Sequence, residues 1–170
     1  MPEKEFHIKQ KILAFGDHYK VKDSDGNAVY QVKGNALKLG SQASFQTMDG
    51  TELATLAQTN DTKLIPWKKF EWTKDGKLWA LAKQDDWGAL DKKSISIDIP
   101  GENDYKIVGD RMAWKFEIFK GDEEVGKVNK KWGVADNYGV RVADGADEVD
   151  IILCGILIDH VYHDKDGKSR

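Results

Sequence analysis

The sequence predicts a mainly β protein, a closed antiparallel barrel of about twelve strands around one buried C-terminal hydrophobic helix, counted from alternating segments bounded by turn residues. Turn pairs of aspartate and glycine recur along the chain, alternating apolar and polar residues flank them, and one long apolar run follows the last alternating segment. A dozen antiparallel strands in one domain must protect their edges, and closing the sheet into a barrel removes those edges.

Four turn pairs indicate hairpins, because aspartate and glycine between alternating segments are the strongest short-range hairpin signal. These pairs are Asp25-Gly26, Asp49-Gly50, Asp75-Gly76 and Gly121-Asp122. A type I′ turn needs positive φ at both central residues, and we expect this turn at each site. The predicted strands are 6–10, 19–22, 28–33, 44–47, 52–56, 70–73, 78–82, 94–99, 105–108, 115–119, 125–128 and 138–142.

The final segment, 147–162, contains eight consecutive apolar or small residues at 151–158 and predicts a helix. Three acidic residues precede this run, where the helix dipole favours negative charge. Apolar residues surround the whole helical wheel, which is typical of a helix buried on every side. A buried strand is the competing interpretation, because isoleucine and valine favour strands and Gly155 weakens a helix.

Composition limits the class of protein. The chain has 170 residues, a net charge of −3 and one cysteine. This length fits a single domain, 1–170, with a polar tail at 163–170. The charge argues against a nucleic-acid partner, and one cysteine excludes a disulfide scaffold. Without a signal-peptide pattern or an apolar run of about 18 residues, we expect a cytoplasmic protein with no transmembrane segment.

Five stretches occur in an order that resembles a known family. They are 6–11, 16–34, 105–110, the late pair 125–131 and 136–142, and 148–159. They look like the LURP-one-related proteins, which share the Tubby C-terminal-like fold with the phospholipid scramblases. The resemblance covers nearly the whole chain, and it depends on the order of the motifs rather than on one specific motif.

The resemblance implies a barrel around a central helix and no shared catalytic motif. Within the superfamily, Tubby domains bind phosphoinositides through basic surface residues, and scramblases carry acylated cysteines and a calcium segment. This chain lacks that cysteine cluster, because its one cysteine, Cys154, lies within the apolar run. The expectation that carries over is binding of an anionic lipid or of a partner.

Catalytic and metal-binding patterns are weak in this sequence. The apolar neighbours of Cys154 predict a packed core thiol, since a reactive thiolate needs an electropositive, accessible setting. His160 and His163 each have an aspartate beside them, but zinc needs three or four ligands, and we expect helix-end histidines without a metal. The Asp-x-Asp-Gly stretches 23–26 and 164–167 place glycine too early for a calcium loop. We therefore expect neither an enzyme nor a cofactor.

A basic and aromatic segment, 63–72, is the strongest candidate surface. Aromatic rings beside lysines are typical of a membrane interface, where each lysine near an anionic leaflet adds about 1 kcal/mol. The candidate lipid-binding residues are Lys63, Trp67, Lys68 and Lys69 in this segment, and Lys127, Lys130 and Lys131 in a second basic set near Trp132.

An ordinary strand explains the same segment. Phe70 and Trp72 share one face of a strand, so that face would point into the core and the lysines would form the solvated face. Lysines commonly protect strands from edge pairing, which favours this interpretation. Most of the six tryptophans should fill the barrel, whereas Trp87 lies in a predicted loop and could anchor a partner.

We therefore expect a non-enzymatic binding module that contacts an anionic lipid headgroup or a protein partner on the outer surface of the barrel. The alternative is an intracellular adaptor or stress-related protein without lipid affinity. A contiguous positive face would favour the lipid, and an apolar, charge-free patch larger than about 400 Å² would favour a protein partner.

Overall fold

The computed structural model describes residues 3–9, 18–37, 40–59, 68–85, 92–100, 104–110, 114–132, 137–159 and 161. These residues form twelve strands, a 3₁₀-helix (Lys130–Trp132) and one α-helix, α1 (Glu148–Ile158). The strands are β1 (Lys4–Lys9), β2 (His18–Asp23), β3 (Ala28–Leu37), β4 (Gly40–Thr47), β5 (Glu52–Gln58), β6 (Lys69–Lys74), β7 (Lys77–Gln84), β8 (Lys92–Asp98), β9 (Tyr105–Asp110), β10 (Lys115–Lys120), β11 (Glu123–Asn129) and β12 (Asn137–Val142).

The twelve strands form one closed barrel in which each strand pairs with its neighbours in sequence. β1 completes the closure, because it pairs antiparallel with β12 on one side and with β2 on the other. Phe6 of β1, for example, lies opposite both Val140 and Asp23. The predicted fold class is confirmed, and closure leaves none of the described strands with a free edge. The predicted polar tail lies outside the described residues.

The barrel has two ends with different connections. Antiparallel strands alternate in direction, so the hairpin turns that follow β2, β4, β6 and β10 all lie at the same end. Helix α1 also begins at this end, directly after β12. We call it the turn end, and we call the opposite end, where β6 begins and β11 ends, the loop end.

The four predicted hairpins are present, but their turns differ. Asp75 and Gly76 both have positive φ, 52° and 75°, as a type I′ turn requires. At Gly26, hydrogen bonds Gly26 N to Asp23 O and Asp23 N to Asn27 O enclose a three-residue loop. The hairpin at Gly50 repeats this pattern. Only the glycine of Gly121-Asp122 has positive φ, as in a type II′ turn. The expected type I′ turn is therefore correct at one of the four sites.

The core lies inside the barrel and follows the period of two. In β6, Phe70 and Trp72 are buried whereas Lys69 and Glu71 are exposed. Most other strands alternate similarly at their described positions, whereas β11 and β12 bury successive residues. All twelve strands contribute apolar side chains to one continuous core. Trp72 stacks on Trp79 with 5.4 Å between ring centroids, which fills the interior next to β6 and β7.

The buried segment is a helix, as predicted. Asp147 caps it, because its side chain accepts hydrogen bonds from the backbone N–H groups of Val149 and Asp150. Residues 150–158 are all buried, since the barrel surrounds the helix. A strand could not satisfy its backbone groups here, because the neighbouring strands already pair with one another. None of the helices in the described residues has the length and apolarity needed to cross a bilayer.

Two glycines let the helix approach one wall of the barrel. A Cβ atom on Gly126 of β11 would lie 2.5 Å from Cγ2 of Ile151, and one on Gly155 would lie 2.9 Å from Cγ2 of Val140. Both distances are too short for a side chain. Gly155, which weakens a helix by its propensity, is therefore explained by this close contact with β12.

Candidate functional site

The structure divides the basic and aromatic segment 63–72 between core and surface. Lys63 and Trp67 lie outside the described residues. Phe70 and Trp72 point into the core, which confirms the strand interpretation for this part of the segment. Lys69 points outward, but Lys68 is only 5% exposed. The expectation that both lysines belong to a solvated face is therefore wrong for Lys68.

Lys68 is buried because of its position beside the end of β7. Its backbone N–H donates to Oε1 of Gln84 over 2.9 Å, and the N–H of Gln84 donates to the Lys68 carbonyl over 3.0 Å. A buried ammonium cannot reach a lipid surface, so Lys68 drops out of the candidate site. The exposed lysine beside Lys69 is Lys83, which lies directly opposite it on β7.

The second basic set lies on the other side of the barrel. Lys127 pairs with Glu124 over 3.4 Å, and it lies opposite Glu117 on β10. A hydrogen bond between the carboxyl groups of Glu117 and Glu124 raises the pKa of Glu117. Lys130 is exposed in the 3₁₀-helix, and only the backbone of Lys131 is described. Lys130 is therefore the exposed lysine of this set that we use in the candidate site.

Trp132, beside the second basic set, is packed against the barrel. The Arg141 guanidinium lies 3.8 Å from the centre of its ring. A Cβ atom on Gly139 would lie 2.5 Å from Cβ of Trp132, so this glycine makes room for the tryptophan. Trp132, in the 3₁₀-helix, is therefore held against β12. Trp87, the tryptophan expected to be exposed, lies outside the described residues.

The two basic sets lie on different walls but at the same end of the barrel. β6 and β11 are five strands apart in the barrel order. Both sets nevertheless belong to the loop end, since β6 begins there and β11 ends there. Within the described residues, the exposed lysines at this end include Lys69, Lys83, Lys115, Lys127 and Lys130. Of the acids described there, Asp85 and Asp110 are half-buried, and the exposed Glu117 lies opposite Lys127.

The turn end has the opposite charge. Its exposed residues include three lysines, Lys4, Lys22 and Lys77, and a larger number of acids, Asp25, Asp49, Asp75, Asp104, Asp122, Glu123, Asp144 and Asp147. Among the described residues, exposed acids therefore predominate at the turn end and exposed lysines at the loop end, although the whole chain carries a net charge of −3. Charges separated in this way orient a protein toward a charged surface.

Two polar clusters attach the start of α1 to the barrel. Asp150 receives hydrogen bonds from Lys74 of β6 and from the Tyr105 hydroxyl of β9, the latter over 2.8 Å. Burial raises the pKa of Asp150, although the bonds from Lys74 and Tyr105 oppose this shift. Lys74 also lies 3.8 Å from the centre of the Trp79 ring. The cluster ties the buried carboxyl group of Asp150 to the barrel wall through β6 and β9.

The second cluster surrounds Glu148. Lys4 of β1 donates to its carboxylate over 3.0 Å, and the hydroxyl of Tyr30 on β3 donates to the other oxygen. Burial and the neighbouring carboxylate raise the pKa of Tyr30, so its hydroxyl remains a proton donor at neutral pH. The first turn of α1 is thus tied to β1 and β3 on one side and to β6 and β9 on the other.

The candidate catalytic groups, a thiol and a serine hydroxyl, have contacts that explain them as structural residues. Cys154 is fully buried, and burial raises the pKa of its thiol, which confirms the core interpretation. On the outer surface, Ser96 donates to Asp85, and Nζ of Lys106 lies 3.2 Å from Oγ of Ser96. This network joins β7, β8 and β9. Its serine is held by an aspartate rather than by a histidine that could remove its proton.

Metal-ligand candidates do not gather in the part of the chain that the structure describes: no three histidine, cysteine, aspartate or glutamate residues there could hold a metal ion together. His160 and His163 lie outside the described residues. Asp23 caps its own turn, because Oδ1 accepts hydrogen bonds from the N–H groups of Asp25 and Asn27. His7 contacts Glu5, with 2.7 Å between Nε2 and Oε2.

Comparisons with known proteins agree with this architecture. The sequence model of the LURP-one-related family matches residues 4–159. The chain is 28% identical over 167 residues to the uncharacterised protein YxjI of Bacillus subtilis, covering 95% of this chain and 96% of that protein. It also resembles the X-ray structure of a protein from Arabidopsis thaliana, with a TM-score of 0.66 and 15% identity over 93% of this chain and 90% of the other. At that identity the likeness concerns the fold.

Proposed function

The chain belongs to the LURP-one-related family, and we propose that it is a non-enzymatic cytoplasmic binding module that docks the loop end of its barrel on anionic membrane lipids. One observation carries this proposal: exposed lysines of the described residues lie at the loop end, which is opposite the acids of the turn end. An anionic membrane attracts the first end and repels the second, so the barrel approaches end-on.

The non-enzymatic part of the proposal is supported by the interior. Helix α1 occupies the barrel, and its one thiol, on Cys154, is buried in the apolar core. Among the polar groups inside, Asp150 and Tyr105 bond to each other and hold the helix. These features therefore favour binding on the outer surface of the barrel over a reaction site inside it.

We expect weak, reversible binding. Each lysine near an anionic leaflet contributes about 1 kcal/mol, and the attraction falls off within a Debye length, about 8 Å at physiological salt. The described, exposed lysines at the loop end include Lys69, Lys83, Lys115, Lys127 and Lys130. Binding should therefore be measurable at low salt and much weaker at physiological salt.

Co-sedimentation with vesicles tests the proposal. Neutral vesicles are compared with vesicles that contain phosphatidylserine or a phosphoinositide, at low and physiological salt. The loop-end variant is Lys115→Glu with Lys130→Glu, and its matched control is Lys22→Glu with Lys77→Glu, which changes the net charge equally near the turn end. We expect binding that requires the anionic lipid, weakens with salt, and is lost in the loop-end variant only.

Two results would overturn the proposal. Absence of binding at low salt, where charges are least screened, would leave the alternative of a protein adaptor without lipid affinity. Equal loss of binding in both double variants would show that net charge, rather than the loop end, controls the interaction. A phosphoinositide preference over phosphatidylserine at equal charge would instead narrow the ligand to a specific headgroup.

A further inference from the structure

We propose that Asp75 is a site of spontaneous covalent modification, at which the chain is rerouted through the Asp75 side chain to give isoaspartate. An aspartate followed by glycine is open to this reaction, because glycine has no side chain to hinder attack by its own backbone nitrogen. The described residues include four such pairs, each in a turn, and their surroundings differ. The pairs are Asp25-Gly26, Asp49-Gly50, Asp75-Gly76 and Asp144-Gly145.

The reaction at Asp75 needs no reactant other than water. The backbone nitrogen of Gly76 attacks Cγ of Asp75, a hydroxyl of the carboxyl group leaves with the amide proton as water, and a five-membered cyclic imide forms. Water then opens the ring at one of its two carbonyl groups. Opening at Cγ restores aspartate. Opening at the main-chain carbonyl leaves the chain connected through Cγ, so the backbone gains one carbon and the mass is unchanged.

In two of the four turns, the attacking nitrogen is held by a hydrogen bond. The N–H of Gly26 donates to the Asp23 carbonyl, and the N–H of Gly50 donates to the Thr47 carbonyl, each over 3.0 Å. The hydroxyl of Thr47 also donates to the Asp49 carboxylate, which lowers the pKa of Asp49. An ionised carboxylate is a poor target for a nucleophile, so both turns oppose the reaction.

The turn at Asp75 keeps the attacking nitrogen out of its closing hydrogen bond. In a two-residue type I′ turn, this bond joins the residues on either side, here Lys74 and Lys77. The N–H of Gly76 takes no part in it. Turning over the Asp75-Gly76 peptide plane converts type I′ to type II′, and both turns fit a two-residue hairpin. The nitrogen therefore reaches the side chain while the two strands stay paired.

Backbone strain and charge distinguish Asp75 from Asp144. The φ of Asp75 is 52°, a left-handed conformation that a side chain disfavours, whereas Asp144 lies outside that region. Isomerisation exchanges the main-chain and side-chain substituents of Cα, which relieves this conflict. The exposed Lys77 follows Gly76, and its positive charge favours loss of the amide proton. At Asp144 the corresponding residue is Ala146.

Modification at Asp75 affects the start of α1 through Lys74. Lys74 precedes Asp75, bonds to Asp150 and lies over the Trp79 ring. An extra backbone carbon in the turn displaces Lys74 relative to β7. We therefore expect the isoaspartate form, separated by chromatography, to unfold at a lower urea concentration than the unmodified protein.

Peptide mapping by mass spectrometry, with electron-transfer fragmentation to distinguish isoaspartate from aspartate, tests the proposal on the folded full chain during incubation in neutral buffer. Isoaspartate at Asp75 should accumulate roughly fivefold or more faster than at Asp25 or Asp49, since attack at Asp75 breaks no hydrogen bond first. In concentrated urea the turns are lost, and this difference should largely disappear. Lys77→Gln should slow the reaction at Asp75, whereas the matched variant Lys20→Gln, on β2, should leave it unchanged.

The proposal is overturned if Asp25, Asp49 or Asp144 forms isoaspartate as fast as Asp75 in the folded chain. It is equally overturned if the full difference persists in urea, because sequence rather than the turn would then set the rates. Vesicle binding by Lys115 and Lys130 takes place at the other end of the barrel, so this proposal and the membrane proposal can fail separately.

Discussion

Charged residues have different surroundings at the two ends of the barrel. At the turn end, Asp150 and Glu148 of α1 accept hydrogen bonds from lysines and tyrosines of four strands, and these contacts hold the helix in place. At the loop end, Lys115 and Lys130 are exposed to solvent. The comparison separates the contacts that stabilise the helix from the exposed lysines that we propose bind anionic lipid. Variants at one end should therefore change one property and preserve the other.

Removing Asp150 should have the largest effect on stability. In Asp150→Ala, the ammonium of Lys74 and the hydroxyl of Tyr105 lose the carboxylate they share in the core. We expect the free energy of unfolding to fall by about 2–4 kcal/mol, since breaking a buried pair leaves a polar group without its partner. Urea unfolding followed by tryptophan fluorescence measures this loss.

Asp144→Ala is the matched control at the same end. Asp144 is exposed, in the turn that precedes the helix. Surface substitutions of this kind change the free energy of unfolding by less than about 0.5 kcal/mol. Equal losses in Asp144→Ala and Asp150→Ala would show that overall charge at the turn end, rather than the buried cluster, stabilises the fold.

The pH dependence of stability should separate two carboxyl groups in the turn-end half of the barrel. Burial raises the pKa of Glu5, but hydrogen bonds from His7 and Arg141 outweigh that effect and lower it. The stabilisation from Glu5 is thus present above its unfolded pKa, near 4.5, and is lost as the pH falls through the folded value. Glu5→Gln should cost up to about 1 kcal/mol at pH 7, and nothing in acid.

Asp150 should behave in the opposite sense. The pKa of Asp150 is raised in the folded protein, so its ionisation disfavours folding. Its contribution to the free energy of unfolding therefore falls as the pH rises through its folded pKa. The stability difference between the unmodified protein and Asp150→Asn should therefore shrink with rising pH, whereas the difference for Glu5→Gln should grow. Chemical unfolding at a series of pH values gives both slopes, and slopes of the same sign would contradict this assignment.

The architecture was predictable because it depends on local patterns. Alternation gave the strands, the Asp-Gly pairs gave the hairpins, and the acidic residues before 151–158 gave the start of α1. Turn type was less predictable, because Asp25-Gly26 and Asp49-Gly50 close three-residue loops rather than two-residue ones. A dipeptide indicates where a hairpin turns, while the register of both strands determines how.

The candidate site was harder to predict because it depends on register. The alternation in 68–72 places Lys68 on the same face as Phe70 and Trp72, and the structure confirms that phase. The general preference of lysine for solvent predicts an exposed Lys68, but the alternation of the strand determines its burial. The position of Lys83 was unpredictable for another reason: it lies beside Lys69 only because β6 pairs with β7.

Reversing charge at the loop end should have the smallest effect on stability. Lys115 and Lys130 are exposed, so Lys115→Glu with Lys130→Glu should change the free energy of unfolding by less than about 0.5 kcal/mol at each site. Urea unfolding of this variant, run beside Asp150→Ala, measures the contrast between the two ends. A loss of several kcal/mol would mean that these lysines support the fold. A vesicle-binding defect in the same variant could then no longer be assigned to surface charge, whereas unchanged stability with lost binding would place binding at the loop end alone.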